Sequence, residues 1–245
     1  MSNKSKTNSL THSSKPLATA LSLSVVILVA LITVWPLVLN PASSLPTIEA
    51  YSTRLQDNDP AMFCWNLWWT AGWLKGQNPL LECHMLHHPF GITLEHHTLT
   101  LANGILASPV TWTAGPVTAH NLLLVFHGLF TAFACWLLAR RIGLSNWAAT
   151  ISATVFTWWP TRLLHAHFHL NLASTGWLVL SLALLIQFRQ TTKWIWLPLT
   201  SVTVAMTGAS SWHLLVCLLM LVPIIWISCA DINYRNEGKG KGKGK

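Results

Sequence analysis

The feature that most limits what this chain can fold into is its succession of apolar runs, each about as long as a bilayer core is thick. They occur at roughly 17–39, 117–139, 144–160 and 170–188, with a longer one at 194–230. Each approaches the ~20 residues a helix needs to cross ~30 Å of hydrocarbon. Only 9% of the residues are charged, where a soluble domain has about a quarter. The expected fold class is therefore all-α: a polytopic helical membrane protein with about six transmembrane helices. The last run supplies two spans if the chain turns near residues 208–213.

The basic residues orient this bundle. Lys4, Lys6 and Lys15 precede the first run, Arg140 and Arg141 close the second, and Arg189 and Lys193 follow the fourth. Six crossings put all of these on one side and leave Arg54, Lys75 and Arg162 on the other, which makes both termini cytoplasmic. The expected organisation is a cytoplasmic segment at 1–16, a membrane domain at 17–230 with an outer loop at 40–116, and a basic Gly/Lys cytoplasmic tail at 231–245. No small-residue cleavage site follows the first run, so it reads as a retained anchor. Topology and tail account for the net charge of +8 without nucleic acid as a partner. Alternating Lys and Gly at 238–245 favours a solvated tail with no regular helix, drawn to anionic membrane lipids by about 1 kcal/mol per basic residue.

The outer loop concentrates the reactive groups. Four of the seven acids (Asp57, Asp59, Glu82, Glu95) and five of the twelve histidines (His84, His87, His88, His96, His97) lie between residues 57 and 100. Asp59-Pro60 starts a helix expected over 60–75, the acid able to cap it and the proline suited to its first turn. Met62, Trp65, Trp69 and Trp73 recur at helical spacing in a segment too short to span, so this helix is expected to lie in the headgroup layer. Gly76-Gln77-Asn78-Pro79 ends it. Residues 98–116 are apolar but broken by Gly104, Pro109, Gly115 and Pro116, which favours a partly embedded or interfacial segment.

Each chemistry-bearing group has a functional and a plainly structural reading. Asp57 and Asp59 form an Asp-x-Asp pair able to hold Mg²⁺ or Mn²⁺ or to act as a general base, with helix capping as the alternative. The loop histidines with Glu82 and Glu95 are ligands of the kind transition metals take, yet their spacing matches no closed zinc pattern. Arg162 stands with His165, His167 and His169 in the second outer turn, where a guanidinium can pair with a phosphate or the turn can serve as an interfacial anchor. His120 and His127 share a face of the second run and are candidate axial ligands for haem or another pigment, or packed intramembrane histidines. Cys64 and Cys83 are placed to pair in an oxidising compartment, with free thiols as the alternative. Cys135, Cys217 and Cys229 read as small packing residues.

A series of short words, in order, adds to this. An acid-Pro early in the outer loop is followed by WNLWWTA at 65–71, GQNP at 76–79, HPFGITL at 88–94 and HTLT at 97–100. Then come NLLL at 121–124, LLARR at 137–141 and HFHLNL at 167–172. From about Leu21 to Phe188 the chain resembles the N-terminal half of GT-C type membrane glycosyltransferases, related to the protein O-mannosyltransferase and aminoarabinose-transferase families. The resemblance implies an enzyme of a bacterial-type inner membrane that passes a sugar from a polyprenyl-phosphate donor to an acceptor on the outer face. It implies that Asp59, at the acid-Pro position, is catalytic, and that Asp57 joins it there and in holding a divalent metal; beside them Arg162, His97 and His167 are the candidates for binding substrate. The chain departs from the family in two places: Asn58 stands where glycine is usual, and the second outer turn has Arg162 and three histidines but no acid.

A second function class stays open. The same fold can serve as a non-catalytic scaffold or accessory subunit of a larger membrane complex, its Trp-rich helix and apolar spans giving contact surface to other membrane protein subunits. Family members generally continue for several more spans, which favours that role. Pigment or haem association through His127 is a variant of it.

Overall fold

The computed structural model describes residues 7–33, 39–46 and 59–241. Its elements in order are α1 (Thr7–Thr33), α2 (Asp59–Leu74), the short strands β1 (Glu82–Cys83) and β2 (Ile92–Thr93), α3 (Leu101–Arg141), α4 (Asn146–Trp158), α5 (Pro160–Phe168), α6 (Leu170–Ala173), α7 (Thr175–Thr191), α8 (Trp196–Ser210) and α9 (Trp212–Lys241). The protein is mostly α-helical, and among the described residues two stretches, Leu101–Arg141 and Leu170–Thr191, are long and apolar enough to cross a membrane.

Helix α3 is folded back on itself. Gly115 interrupts it with φ 84° and ψ 165°, a backbone conformation that in practice only glycine adopts, and Pro116 follows. Asn103 and His127 lie equally far from Gly115 on either side, yet Asn103 Oδ1 and His127 Nε2 are 2.8 Å apart. With each arm about 18 Å long, these side chains meet only if the arms come within roughly 35° of antiparallel. Leu106, Ala107 and Val110 on one arm share a groove with Ala119, Leu123 and Phe126 on the other, as such a hairpin requires. Where the sequence reads 98–116 as a partly embedded or interfacial segment, the structure has a helical arm docked on the helix that follows. The first arm also meets α2 closely: a Cβ added at Gly104 would lie 2.5 Å from Thr70 Oγ1 of α2.

Helix α2 lies against this hairpin. Its Phe63 and Leu67 share a core with Ala107, Ala119, Leu123, Leu124 and Leu170, while Trp69 joins Cys83, Leu94 and Leu99 in a smaller one. The tryptophan stripe therefore faces protein in part: Trp69 is buried and Trp65 and Trp73 are half-buried, while Trp68, off the stripe, is exposed. Residues 75–100 form a cap over α2. Strands β1 and β2 pair antiparallel, Glu82 opposite Thr93 and Cys83 opposite Ile92. Trp69 Nε1–H donates to the Leu80 carbonyl at 3.0 Å, and Asn78 Nδ2–H donates to the Trp69 carbonyl at 3.2 Å. Cys64 and Cys83 are free thiols, both buried, and burial pushes the Cys64 thiol up to about 11.

The remaining helices assemble around α3. Helices α4 and α7 pack on α3, α1 packs on α4, and α8 and α9 pack on α7. The seams are small and polar: Ala132, Ala149 and Ala153 are buried, as are Ser181, Thr203 and Thr207. Ser181 Oγ–H donates to Thr203 Oγ1 at 2.9 Å between α7 and α8, and Asn146 Nδ2–H to Thr19 Oγ1 at 2.9 Å between α4 and α1. The outward faces carry Ile151, Val155, Phe156, Val202, Leu219, Met220 and Ile224. Polar seams under an apolar surface invert the pattern of soluble proteins and match helices associating in lipid. The turn between α8 and α9 falls at Ser211 (φ −161°, ψ 120°), within the expected 208–213.

Two helices run beyond their apolar segments. Helix α1 begins at Thr7 and α9 continues to Lys241, where the sequence reads the tail as lacking regular helix. Extending an existing helix avoids the cost of nucleation, so a polar or glycine-bearing stretch can continue a helix it would not start.

Candidate functional site

The functional groups converge on the broken segment from α5 to α7. His169 (φ −122°, ψ 84°) separates α5 from α6, and Ser174 separates α6 from α7. Such breaks turn backbone carbonyls toward neighbouring side chains instead of spending them within a helix.

Below the breaks lies a buried network. Asn103 Nδ2–H donates to Thr100 Oγ1 and to Ser174 Oγ, each at 2.8 Å, with the Leu170 carbonyl at 3.4 Å. The amide oxygen of Asn103 must then accept, so His127 carries its proton on Nε2, 2.8 Å away. Ser174 Oγ lies 3.3 Å from the same nitrogen and donates to the Leu170 carbonyl at 3.1 Å. Asn103, His127 and Ser174 have no exposed surface. His127 thus ties the two arms of α3 together, and the nitrogen bonded to Asn103 is already spent with respect to a pigment.

Arg162, in α5, holds the turn from above. One guanidinium nitrogen donates to the Thr157 carbonyl at 2.8 Å; the other donates to Thr131 Oγ1 at 3.0 Å and to the Ala173 carbonyl at 3.3 Å. All these acceptors are neutral, and among the described residues the guanidinium forms no ion pair. Arg162 also lines an apolar cleft of about 550 Å³ with Ser152, Val155, Phe156, Trp159 and Thr175.

Asp59, the first residue of α2, reaches the same turn. Its Oδ2 lies 3.1 Å from His169 Nε2, with the side chains 39% and 38% exposed respectively. Among the described residues this is the contact between a carboxylate and a basic side chain that the structure holds. The His165 ring stands 5.4 Å from that of His169. His167 falls within α5, though its side chain lies outside the described set, and Asp57 lies outside the described residues altogether.

His97 is placed differently. Its Nε2–H donates to Asn66 Oδ1 at 2.8 Å, and Asn66 Nδ2–H donates to the Thr98 carbonyl at 2.6 Å. The ring sits edge-on to Trp65, 5.8 Å away, and burial lowers its pKa. His97 therefore pins the cap to α2, away from the turn at 160–175.

A divalent metal finds little here. Among the described residues no group of three or more His, Cys, Asp or Glu side chains is placed to hold one. Mg²⁺ asks for an octahedron of oxygens, whereas Asp59 Oδ2 already meets a ring nitrogen. The described residues do not by themselves fit Mg²⁺ or Mn²⁺, so no step of the proposed chemistry runs through a metal.

Sequence reasoning passes over Asn66, Asn103 and Ser174. A signal is available for the two asparagines, since an amide inside an apolar stretch must find partners when buried. No family model, curated protein or solved structure matches this chain.

Proposed function

We propose that the chain is an integral protein of a bacterial-type inner membrane, crossing it six times with both termini cytoplasmic. There it transfers a sugar from a polyprenyl-phosphate carrier to an acceptor hydroxyl on the outer face. Polar seams under apolar outer faces support the membrane setting. The sidedness is supported by the ends of α3 and α7, where Gln190 Nε2–H donates to the Arg141 carbonyl at 2.8 Å. This gathers Arg140, Arg141 and Arg189 at one end, while Asp59, Arg162 and His169 lie toward the other.

The chemistry follows from what each group offers. Asp59 accepts the proton of the acceptor hydroxyl as that oxygen bonds the anomeric carbon. The bond from this carbon to the carrier's phosphate oxygen breaks, and its electron pair leaves with the polyprenyl phosphate. Arg162, a cation without a carboxylate partner among the described residues, favours the dianionic leaving group. The apolar wall of Val155, Phe156 and Trp159 suits the isoprenoid tail. One observation carries the reading: Asp59 and His169 come from segments far apart in sequence and meet at 3.1 Å, still open to solvent. The test is Asp59→Asn in proteoliposomes supplied with polyprenyl-phosphate-linked sugars. The expected loss in rate is about 10²–10⁴-fold, and transfer at the parental rate sinks the assignment.

A second reading, a non-catalytic subunit, is favoured by the two terminal guanidinium nitrogens of Arg162 and by Nε2 of His97, which hold the turn and the cap. In that case the protein co-purifies stoichiometrically with other membrane subunits, and Asp59→Asn leaves the complex and its activity intact.

A further inference from the structure

We infer that His169 is the positioning residue for Asp59, fixing the carboxylate through Oδ2 so that Oδ1 is the oxygen presented to an acceptor. The catalytic half of this statement rests on the transferase reading above; the orientation of the carboxylate does not. His169 is itself held at the break between α5 and α6. Its backbone N–H donates to the His165 carbonyl at 2.7 Å, and its own carbonyl accepts from Leu172 and Ala173 at 2.8 and 3.0 Å. The imidazole is thereby carried on a fixed stretch of chain.

The two ring nitrogens are not equivalent. Nε2 faces Asp59 at 3.1 Å. Nδ1 is buried and has no hydrogen-bond partner among the described residues. An enclosed nitrogen without an acceptor is best left as a bare lone pair, because an N–H there would go unbonded. The proton therefore sits on Nε2, which donates to Asp59 Oδ2.

This arrangement reverses the roles of many carboxylate–imidazole pairs, in which the carboxylate orients the ring and the far ring nitrogen works on substrate. Here the far nitrogen is enclosed and out of reach, whereas Asp59 keeps 39% of its side chain exposed. The pair leaves Oδ1 outside its hydrogen bond. A carboxylate with one oxygen tied down presents the other in a single orientation, and loss of such orientation is expensive for a reaction that depends on alignment.

Two readouts are combined in the test. The chain contains three aspartates, Asp57, Asp59 and Asp231, so ¹³C-aspartate in an Asp57→Asn/Asp231→Asn background makes the carboxylate infrared band report on Asp59 alone. Sugar transfer from polyprenyl-phosphate-linked sugars in proteoliposomes is measured for the parent, His169→Ala and His169→Gln, the last placing an amide N–H near the position of Nε2. The band is expected to shift in His169→Ala and to return in His169→Gln. For His169→Ala, kcat falls about 10²-fold while KM moves less than about threefold, and His169→Gln recovers most of the loss. A band indifferent to His169, or an unchanged kcat in His169→Ala, overturns the inference. If the parent transfers no sugar while the band still follows His169, the transferase reading falls and the orientation of Asp59 stands. If sugar is transferred while the band ignores His169, the transferase reading stands and the orientation falls.

Discussion

Removing Asn103 asks whether the hairpin in α3 is held as described. In Asn103→Ala the chain loses a hydrogen bond accepted from His127 and two donated to Thr100 and Ser174, all three at 2.8 Å. Buried hydrogen bonds contribute about 0.5–1.5 kcal/mol each in water-soluble proteins, and interhelical ones in membranes average nearer 0.6 kcal/mol. Three of them amount to about 2–4 kcal/mol, including the cost of an enclosed His127 N–H left with no amide acceptor. Equilibrium unfolding in mixed micelles, followed by circular dichroism, reads the difference. His127→Ala should cost a comparable amount, and the double variant should fall short of the sum by about 1 kcal/mol or more, since both remove the same bond. A loss below about 0.5 kcal/mol for Asn103→Ala, or strict additivity of the pair, would refute the folded-back geometry.

Two further outcomes follow from particular contacts. Gly104→Ala forces a Cβ to within 2.5 Å of Thr70 Oγ1 and should lower stability by about 1–3 kcal/mol. In a Thr70→Gly background the same change should cost less than half as much, read by thermal unfolding. Burial sets the pKa of His97 below its ordinary 6.5, so between the two values the unfolded chain binds more protons than the folded one. Its contribution is complete above about pH 6.5 and is lost as pH falls through the window beneath. Hydrogen-exchange protection of residues 75–100 should drop across that window in the parent and stay level in His97→Gln.

The helices were legible because apolar length and charged turns are local properties. The turn at Ser211 and the start of α2 at Asp59 likewise follow from nearby residues. What periodicity does not carry is the angle at a break. Gly104, Pro109, Gly115 and Pro116 announce that 98–116 is not one ordinary span, but the fold-back depends on Asn103 meeting His127, a contact between side chains 24 residues apart. The same holds at the site. Asp59 and the histidines of 165–169 stand out as candidates in separate segments of the sequence, and only the packing of α2 against the turn selects His169 as the partner. His97 shows the opposite error of emphasis, since an imidazole in a suggestive word is spent on Asn66. The helical extensions at 7–16 and 231–241 reflect cooperativity along the backbone, which residue-by-residue propensity misses.

The side of the membrane on which the Asp59–His169 pair lies decides the topology and the transfer chemistry together. Phe90, in the cap joined to α2, is 90% exposed and reports that side without touching the pair. Phe90→Cys in a background without other cysteines, treated in intact spheroplasts with a membrane-impermeant maleimide, should label fully, while Lys193→Cys should label only after permeabilisation. Protection of position 90 together with labelling of position 193 in sealed cells would contradict the topology and the transfer chemistry built on it.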